Sequence, residues 1–187
     1  MVFLAIMTAL AQETDSRTIS RRPVAGHAVF DLRAGVQASD LQHAYICAEG
    51  SPTAWLSLEA CGNGSGVLHQ SPSPDLAHFR SRVRAAGASV GRLDADLLFG
   101  VGFAELQRTA DQPGFKFGRA RADDQVEGAG PEASVSVKGR FWTDAGGRTY
   151  VSADLNVGAA VIPAATTILD QDGPVVPFGA LTVGLGF

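Results

Sequence analysis

Polar side chains gathered around one predicted loop come nearest to a catalytic site in this sequence. The segment 62–75 and the residues just after it contain two histidines, two serines and an aspartate: His69, Ser71, Ser73, Asp75 and His78. A hydrolase needs a nucleophile and a base within hydrogen-bonding reach, and a third group that orients the base. These residue types can fill the three roles if the loop folds them together. Polar residues of a surface loop are the simpler interpretation, so the main hypothesis has no catalysis.

Two other motifs carry little chemistry. The stretch GNGSG at 62–66 lacks the GxxxxGK[ST] pattern and the following helix of a phosphate-binding loop. It also misses GxSxG, because Asn63 stands two residues before Ser65. His27 and His43 are isolated, and no group has the spacing of metal ligands. We therefore expect no metal and no cofactor, and a surface loop at 62–66.

The two cysteines, Cys47 and Cys61, leave two alternatives open. An even number of cysteines in an exported protein suggests a disulfide. A tight turn at 50–52, however, would separate the two residues by about 20 Å along the strands, at ~3.3 Å per residue. A disulfide needs Cα atoms within about 7 Å. Either the thiols stay free, or 43–52 is a loop and the segment 113–121 supplies a strand instead.

Length and composition exclude several classes of protein. A chain of 187 residues fits one domain, and 45% hydrophobic with 18% charged residues is too apolar for a disordered chain. No apolar run approaches the ~18 residues of a membrane-spanning helix. The net charge of −4 gives no footprint for nucleic acid.

The start of the chain resembles a secretory signal peptide. An apolar run over 2–11 ends in Ala9-Leu10-Ala11 and is followed at once by polar residues. No lysine or arginine precedes the run. We predict a signal peptide at 1–11, a polar segment at 12–26 and one β-barrel domain at 27–187.

Apolar residues recur at every second position, which is the pattern of a β-strand with two different faces. Short turns follow the second, fourth and sixth segments, and longer loops are expected at 62–75, 105–131 and 161–177. The pattern predicts eight strands, at 28–37, 43–49, 54–61, 76–86, 92–104, 132–142, 150–160 and the end of the chain.

Charged residues fall on the polar faces of these strands in equal numbers of each sign. An unpaired buried charge costs several kcal/mol, so balanced charges suit a closed, ion-paired interior. A turn near Ala88 or Ser89 would place Arg82 and Arg84 opposite Arg92, Asp94 or Asp96. A row such as Arg80, Arg82 and Arg84 could select an anion, but eight strands enclose only enough space for side chains. We assign to a packed, non-conducting interior Asp31, Arg33, Glu59, Arg80, Arg82, Arg84, Arg92, Asp94, Asp96, Lys138, Arg140 and Asp154.

The last strand, PFGALTVGLGF, makes the chain resemble the small eight-stranded outer-membrane β-barrel proteins of Gram-negative bacteria. In that family the final strand ends in an aromatic residue after alternating apolar residues, and the barrel-assembly machinery reads this signal. Leu181, Val183, Leu185 and Phe187 match it.

The resemblance implies an all-β, antiparallel up-and-down transmembrane barrel in the bacterial outer membrane, in contact with lipid and expected to be a monomer. Aromatic residues should then ring the barrel at both membrane interfaces. We predict Phe141, Trp142 and Tyr150 in the periplasmic girdle, and Phe103 and Phe178 near the outer rim. With 7% aromatic residues, the girdles are thin.

Three functions follow from this interpretation. The main one is an outer-membrane barrel with a structural or surface-interaction role. The second is an outer-membrane hydrolase that modifies lipid with the residues around His69 and His78. The third is a soluble exported barrel that binds a small apolar ligand, in which the apolar faces would point inward.

Overall fold

Eight antiparallel strands form a closed barrel in the computed structural model, which describes residues 29–38, 40–64, 74–108, 127–143 and 148–187. Each strand pairs with its neighbours in sequence and β1 pairs with β8, which confirms the predicted up-and-down fold. The strands are β1 Val29–Gln37, β2 Asp40–Ser51, β3 Leu56–Gly62, β4 Asp75–Val90, β5 Leu93–Gln107, β6 Glu127–Trp142, β7 Tyr150–Val161 and β8 Val175–Gly186. The predicted signal peptide, the segment 113–121, His27, His69, Ser71 and Ser73 lie outside the described residues.

The barrel has two different ends. The terminal end, where β1 begins and β8 stops, carries the connections 52–55, 91–92 and 143–149. At the opposite loop end, β7 and β8 are joined by a connection that includes the short helix α1, Ala165–Ile168. No helix in the described ranges is long and apolar enough to span a bilayer.

Each strand has one face toward the barrel interior and one face toward the outside of the barrel, and its side chains alternate between the two. Along β5 the outward residues from Leu93 to Phe103 are uncharged, whereas Asp94 and Asp96 occupy the alternate positions. Val101 is 62% exposed, and Glu105, the next charged residue at an odd position of β5, is 4% exposed. Ten steps at about 3.3 Å, tilted by roughly 40°, span about 25 Å, the height of the apolar band of a membrane barrel. The strands β5 and β6 therefore run past this band, and their connection is shorter than predicted.

The register of β2 and β3 differs from the predicted one. Cys47 lies opposite Cys61, not 20 Å away from it, and Glu49 lies opposite Glu59. The strand β2 continues to Ser51, and the chain reverses over 52–55. There the Leu56 amide donates a hydrogen bond to Thr53 Oγ1 at 3.0 Å. Residues 43–51 are therefore strand, not loop, and the disulfide forms nonetheless.

The turn between β4 and β5 also lies later than predicted. It falls at 91–92 instead of near Ala88, because Gly91 adopts the positive φ of 60° that the reversal needs. A bulge after Arg84 shifts the pairing of β4. Arg82 consequently lies opposite Gly100 and Arg84 opposite Leu98, so neither faces Arg92 or Asp94 directly.

Three aromatic residues predicted for the girdles lie inside the barrel instead. Tyr150 and Phe178 are buried, and Trp142 takes an inward position of β6 beside Tyr150, with ring centroids 4.9 Å apart. These side chains occupy even positions of their strands, and in β6, β7 and β8 the even positions point inward. Of the residues predicted for the terminal end, Phe141 alone faces outward. The exposed aromatic residues near that end are Phe30, Trp55, Phe141 and Phe187.

An apolar cluster closes the loop end. The helix α1 packs its buried Ala165 and Ile168 against inward residues of the strands. We call this cluster the apolar cap; it contains Leu76, Ala104, Leu106, Ala160, Ile162, Ala164, Ala165, Ile168, Val176 and Phe178. Charged residues of the interior therefore lie between the apolar cap and the Trp142–Tyr150 pair.

Candidate functional site

The centre of the barrel interior is built on two facing carboxylates. Glu49 Oε2 lies 2.9 Å from Arg33 Nη2, 3.0 Å from Arg82 Nη1 and 2.8 Å from Lys138 Nζ. Glu59 Oε2 lies 2.6 Å from Arg82 Nη1 and also pairs with Arg33. Two arginines thus bridge both carboxylates, which suits the planar, multiply donating guanidinium group.

Six different strands supply this network. Arg33 comes from β1, Glu49 from β2 and Glu59 from β3, and Arg82 from β4 reaches across the barrel to Asp154 of β7. Arg33 Nη1 approaches the same Asp154 at 2.7 Å. Lys138 of β6 completes the group, with Nζ also 3.2 Å from Asp31 Oδ2. Only closure of the barrel brings these residues together.

The arginines of this network are as buried as core residues. Arg33 and Arg82 are each 1% exposed. Removing a charge from water costs several kcal/mol, which is offset only when good geometry satisfies it. Arg82 meets this condition with Glu49, Glu59, Asp154 and the Ser136 hydroxyl. The described part of the interior is therefore occupied by buried, paired charges.

A second group of charges lies near the terminal end. Asp96 pairs with Arg140 and, at 2.7 Å from Oδ1, with Arg84 Nε. Trp142 Nε1 donates a hydrogen bond to Asp94 Oδ2 at 2.6 Å. Arg92, which we predicted in the interior, is instead exposed, because residues 91–92 are the turn itself.

His78 lies deep in the interior. Its Nδ1 is 2.5 Å from Glu132 Oε2, and its Nε2 is 2.9 Å from Gln37 Nε2. Asp75 stands three positions away in β4, so the two side chains project to opposite faces of the strand. The described members of the predicted hydrolase cluster therefore do not converge on one site.

Arg80 connects the histidine layer to the central network. Its Nε donates to Glu59 Oε1 at 2.6 Å, and its Nη1 lies 3.9 Å from Glu132. Glu49 and Glu132 were not assigned to the predicted network, although both occupy the polar face of their strands. The alternation of polar and apolar residues was sufficient to place both in the interior. The cation that each one contacts, however, depends on how the barrel closes.

The disulfide Cys47–Cys61 sits on the same inner surface. Glu59 lies close enough for the three residues to resemble a set of metal ligands. Both sulfurs are joined in the disulfide, however, so no thiolate remains to bind a metal ion. Arg80 Nη2 approaches Cys61 Sγ at 3.9 Å. The cysteines therefore crosslink two neighbouring strands inside the barrel.

The fold and interior define a closed barrel with an uncharged band on the outer face of its described strands and an ion-paired core. No protein-family model matches the chain, and no curated protein matches it. Among solved structures it is similar to the N-terminal β-barrel domain of Pseudomonas aeruginosa OprF, with a TM-score of 0.44 and 10% identity over 86% of this chain and 96% of that one. Proteins this far apart share at most an arrangement of strands, so function has to be inferred from the residues of this chain.

Proposed function

We propose that this chain is an integral outer-membrane β-barrel with a structural or surface-interaction role. The observation that carries the proposal is that apolar side chains face outward and charged side chains face inward, the reverse of a soluble protein. Leu155, Val183 and Leu185 point outward, and Leu185 is 64% exposed, whereas Arg33 and Arg82 are buried. In water a continuous apolar belt of this size is a liability. In a bilayer it is the surface that hydrocarbon chains require, and a closed barrel leaves no strand edge unpaired.

The outer membrane is supported by two further features. The disulfide suits a chain that passes through an oxidising compartment. The final strand presents Leu181, Val183, Leu185 and Phe187 on the lipid side, as expected if the barrel-assembly machinery reads them. Outer-membrane lipid and that machinery are the partners we propose, and we expect a monomer that binds no nucleic acid.

The filled interior supports a role without transport. The apolar cap covers the loop end, and below it the arginines and carboxylates take up the space that an aqueous pore would need. Contacts with other molecules would then be made by the loop-end connections. The lipid-hydrolase alternative is not favoured, because His78 is fully buried. The soluble alternative needs inward apolar faces, whereas Phe99 and Leu155 face outward.

Membrane fractionation followed by a gel-shift assay tests this proposal. The full chain, expressed in a Gram-negative host, should sediment with outer membranes and require detergent for extraction. Unheated samples should migrate differently from boiled ones in SDS gels, because a closed barrel resists SDS. Recovery of the chain in the soluble periplasmic fraction, with a single band before and after boiling, would refute the membrane assignment.

A further inference from the structure

The pairing between β2 and β3 has the fewest aligned residue pairs of any two neighbouring strands in the barrel. It has five aligned residue pairs, from Ile46–Gly62 to Gly50–Leu58, whereas β4 and β5 share fifteen. The strand β3 itself has seven residues. A two-stranded hairpin is marginal in isolation. This hairpin is therefore the one that depends most on contacts supplied by the rest of the barrel.

Like charges face each other across the middle of this hairpin. Glu49 and Glu59 are directly opposite one another on the inner surface, an arrangement that destabilises paired strands. Their cations all come from other strands: Arg33 from β1, Arg82 from β4 and Lys138 from β6. Until those strands are in place, nothing within the hairpin offsets the repulsion.

A competing register is open to the same two strands. The tight-turn residues at 50–52 would pair Cys61 with Leu41, six positions from its observed partner Cys47. Because six is an even number, every side chain would keep its face, and the hydrophobic pattern would not distinguish the two registers. A disulfide between Cys47 and Cys61 is compatible with the observed register alone, since their Cα atoms lie 4.1 Å apart.

The position of the bond indicates when it forms. Cys47 and Cys61 are 2% and 5% exposed and lie on the inner wall of the barrel. One end of that interior is covered by the apolar cap, and the other by Trp142 and Tyr150. A protein oxidant could not reach the two sulfurs once the barrel has closed.

We propose that the Cys47–Cys61 disulfide forms before barrel closure and holds β2 and β3 in register until the cations of β1, β4 and β6 arrive. Formation is a thiol–disulfide exchange with a disulfide-bearing oxidant. The two cysteines give up two electrons and two protons, and the oxidant leaves as a dithiol. Closing a loop of this length, with a sequence separation of 14, favours the crosslinked hairpin on the order of 100-fold.

Refolding of the full chain from urea into detergent micelles, followed by the SDS gel shift, tests this order of events. The oxidised chain should fold at least about tenfold faster than either the dithiol-reduced chain or the Cys47→Ser/Cys61→Ser variant. Glu59→Gln should speed folding of the reduced chain, because it removes the repulsion from Glu49. The same substitution should not speed folding of the oxidised chain, whose register is already held.

Protection of the bond is the second measurement. A dithiol added to the folded, oxidised barrel should reduce it at least about tenfold more slowly than it reduces the urea-unfolded chain. Equal folding rates for the oxidised and reduced chains, or equal reduction rates for the folded and unfolded chains, would overturn the proposal. If the oxidised chain folds but shows either result, the membrane-barrel function stands without this inference. If the oxidised chain never shows the shifted band, both fail.

Discussion

Replacing Arg82 by methionine tests the charged interior most directly. Methionine fills much of the same space but cannot pair with a carboxylate. The change would remove the contacts to Glu49 at 3.0 Å and to Glu59 at 2.6 Å, together with the pair to Asp154. Removing one partner of a buried ion pair costs about 3–5 kcal/mol, mainly because a charge is left uncompensated.

The structure places the expected loss at the lower end of that range. Each carboxylate that Arg82 contacts keeps another cation: Glu49 keeps Arg33 and Lys138, Glu59 keeps Arg33 and Arg80, and Asp154 keeps Arg33. We therefore expect Arg82→Met to lower the free energy of unfolding by about 3 kcal/mol. A sum over the separate contacts would overestimate the loss.

Urea unfolding in lipid vesicles, followed by tryptophan fluorescence, measures the effect. Arg92→Met is the matched control, because Arg92 is exposed in the turn and should change the free energy of unfolding by less than about 0.5 kcal/mol. Adding Glu59→Gln to Arg82→Met should recover part of the loss, because it removes one negative charge from a network that has lost a positive one. If both arginine variants unfold at the same urea concentration, the buried network is not what stabilises this barrel.

Three further predictions concern the outer surface, the apolar cap and the last residue. Leu155→Lys should cost about 2–4 kcal/mol in vesicle-based unfolding, more than Val175→Lys near the loop end, because lysine is most costly at the membrane centre; equal costs would argue against a lipid-facing surface. Ile168→Asp should lower the free energy of unfolding by about 2 kcal/mol or more, because it places a charge in the apolar cap. Thr167→Asp, on the exposed side of α1, should not lower it. Identical melting temperatures for the two variants would contradict the buried cap. Phe187→Ala should keep the two backbone hydrogen bonds with Phe30 and fold normally in detergent, but should reduce the amount of barrel assembled in cells; unchanged assembly would show that the aromatic ring is not read.

The strands were predictable because lipid and ion pairs demand opposite side chains at alternate positions. In β7, for example, Val151, Leu155 and Val157 alternate with Ser152 and Asp154 over the whole strand. The ends of strands were less predictable where the contrast between polar and apolar positions disappears. The strand β4 runs to Val90 through Ala86-Gly87-Ala88-Ser89, residues that carry no clear polar or apolar preference.

The same alternation was a better guide than composition to the aromatic residues. Trp142 and Tyr150 lie on the polar faces of their strands, and the structure keeps them there, inside the barrel. Assigning them to a girdle gave more weight to residue type than to position. Trp55, which does face outward, lies in the turn between β2 and β3, where no strand pattern applies.

The particular ion pairs of the interior could not be predicted from the sequence. Arg82 and Asp154 lie 72 residues apart, and their contact depends on how far each strand is displaced along its neighbours around the whole barrel. Local turn signals decide only part of that displacement. At 50–52 they favoured the wrong register, which shifted every expected pair between β2 and β3.

The inward fold of the β7–β8 connection has a practical consequence for protein engineering. Its first half cannot carry a grafted epitope, since a foreign peptide there would have to displace Ile162 and Ile168 from their packed positions. The stretch from Asp170 to Gly173 is a better insertion point, because its two aspartates are exposed and Asp170 already has a turn-like φ of 52°. A tag placed there should be displayed to the surroundings while the barrel beneath stays shut.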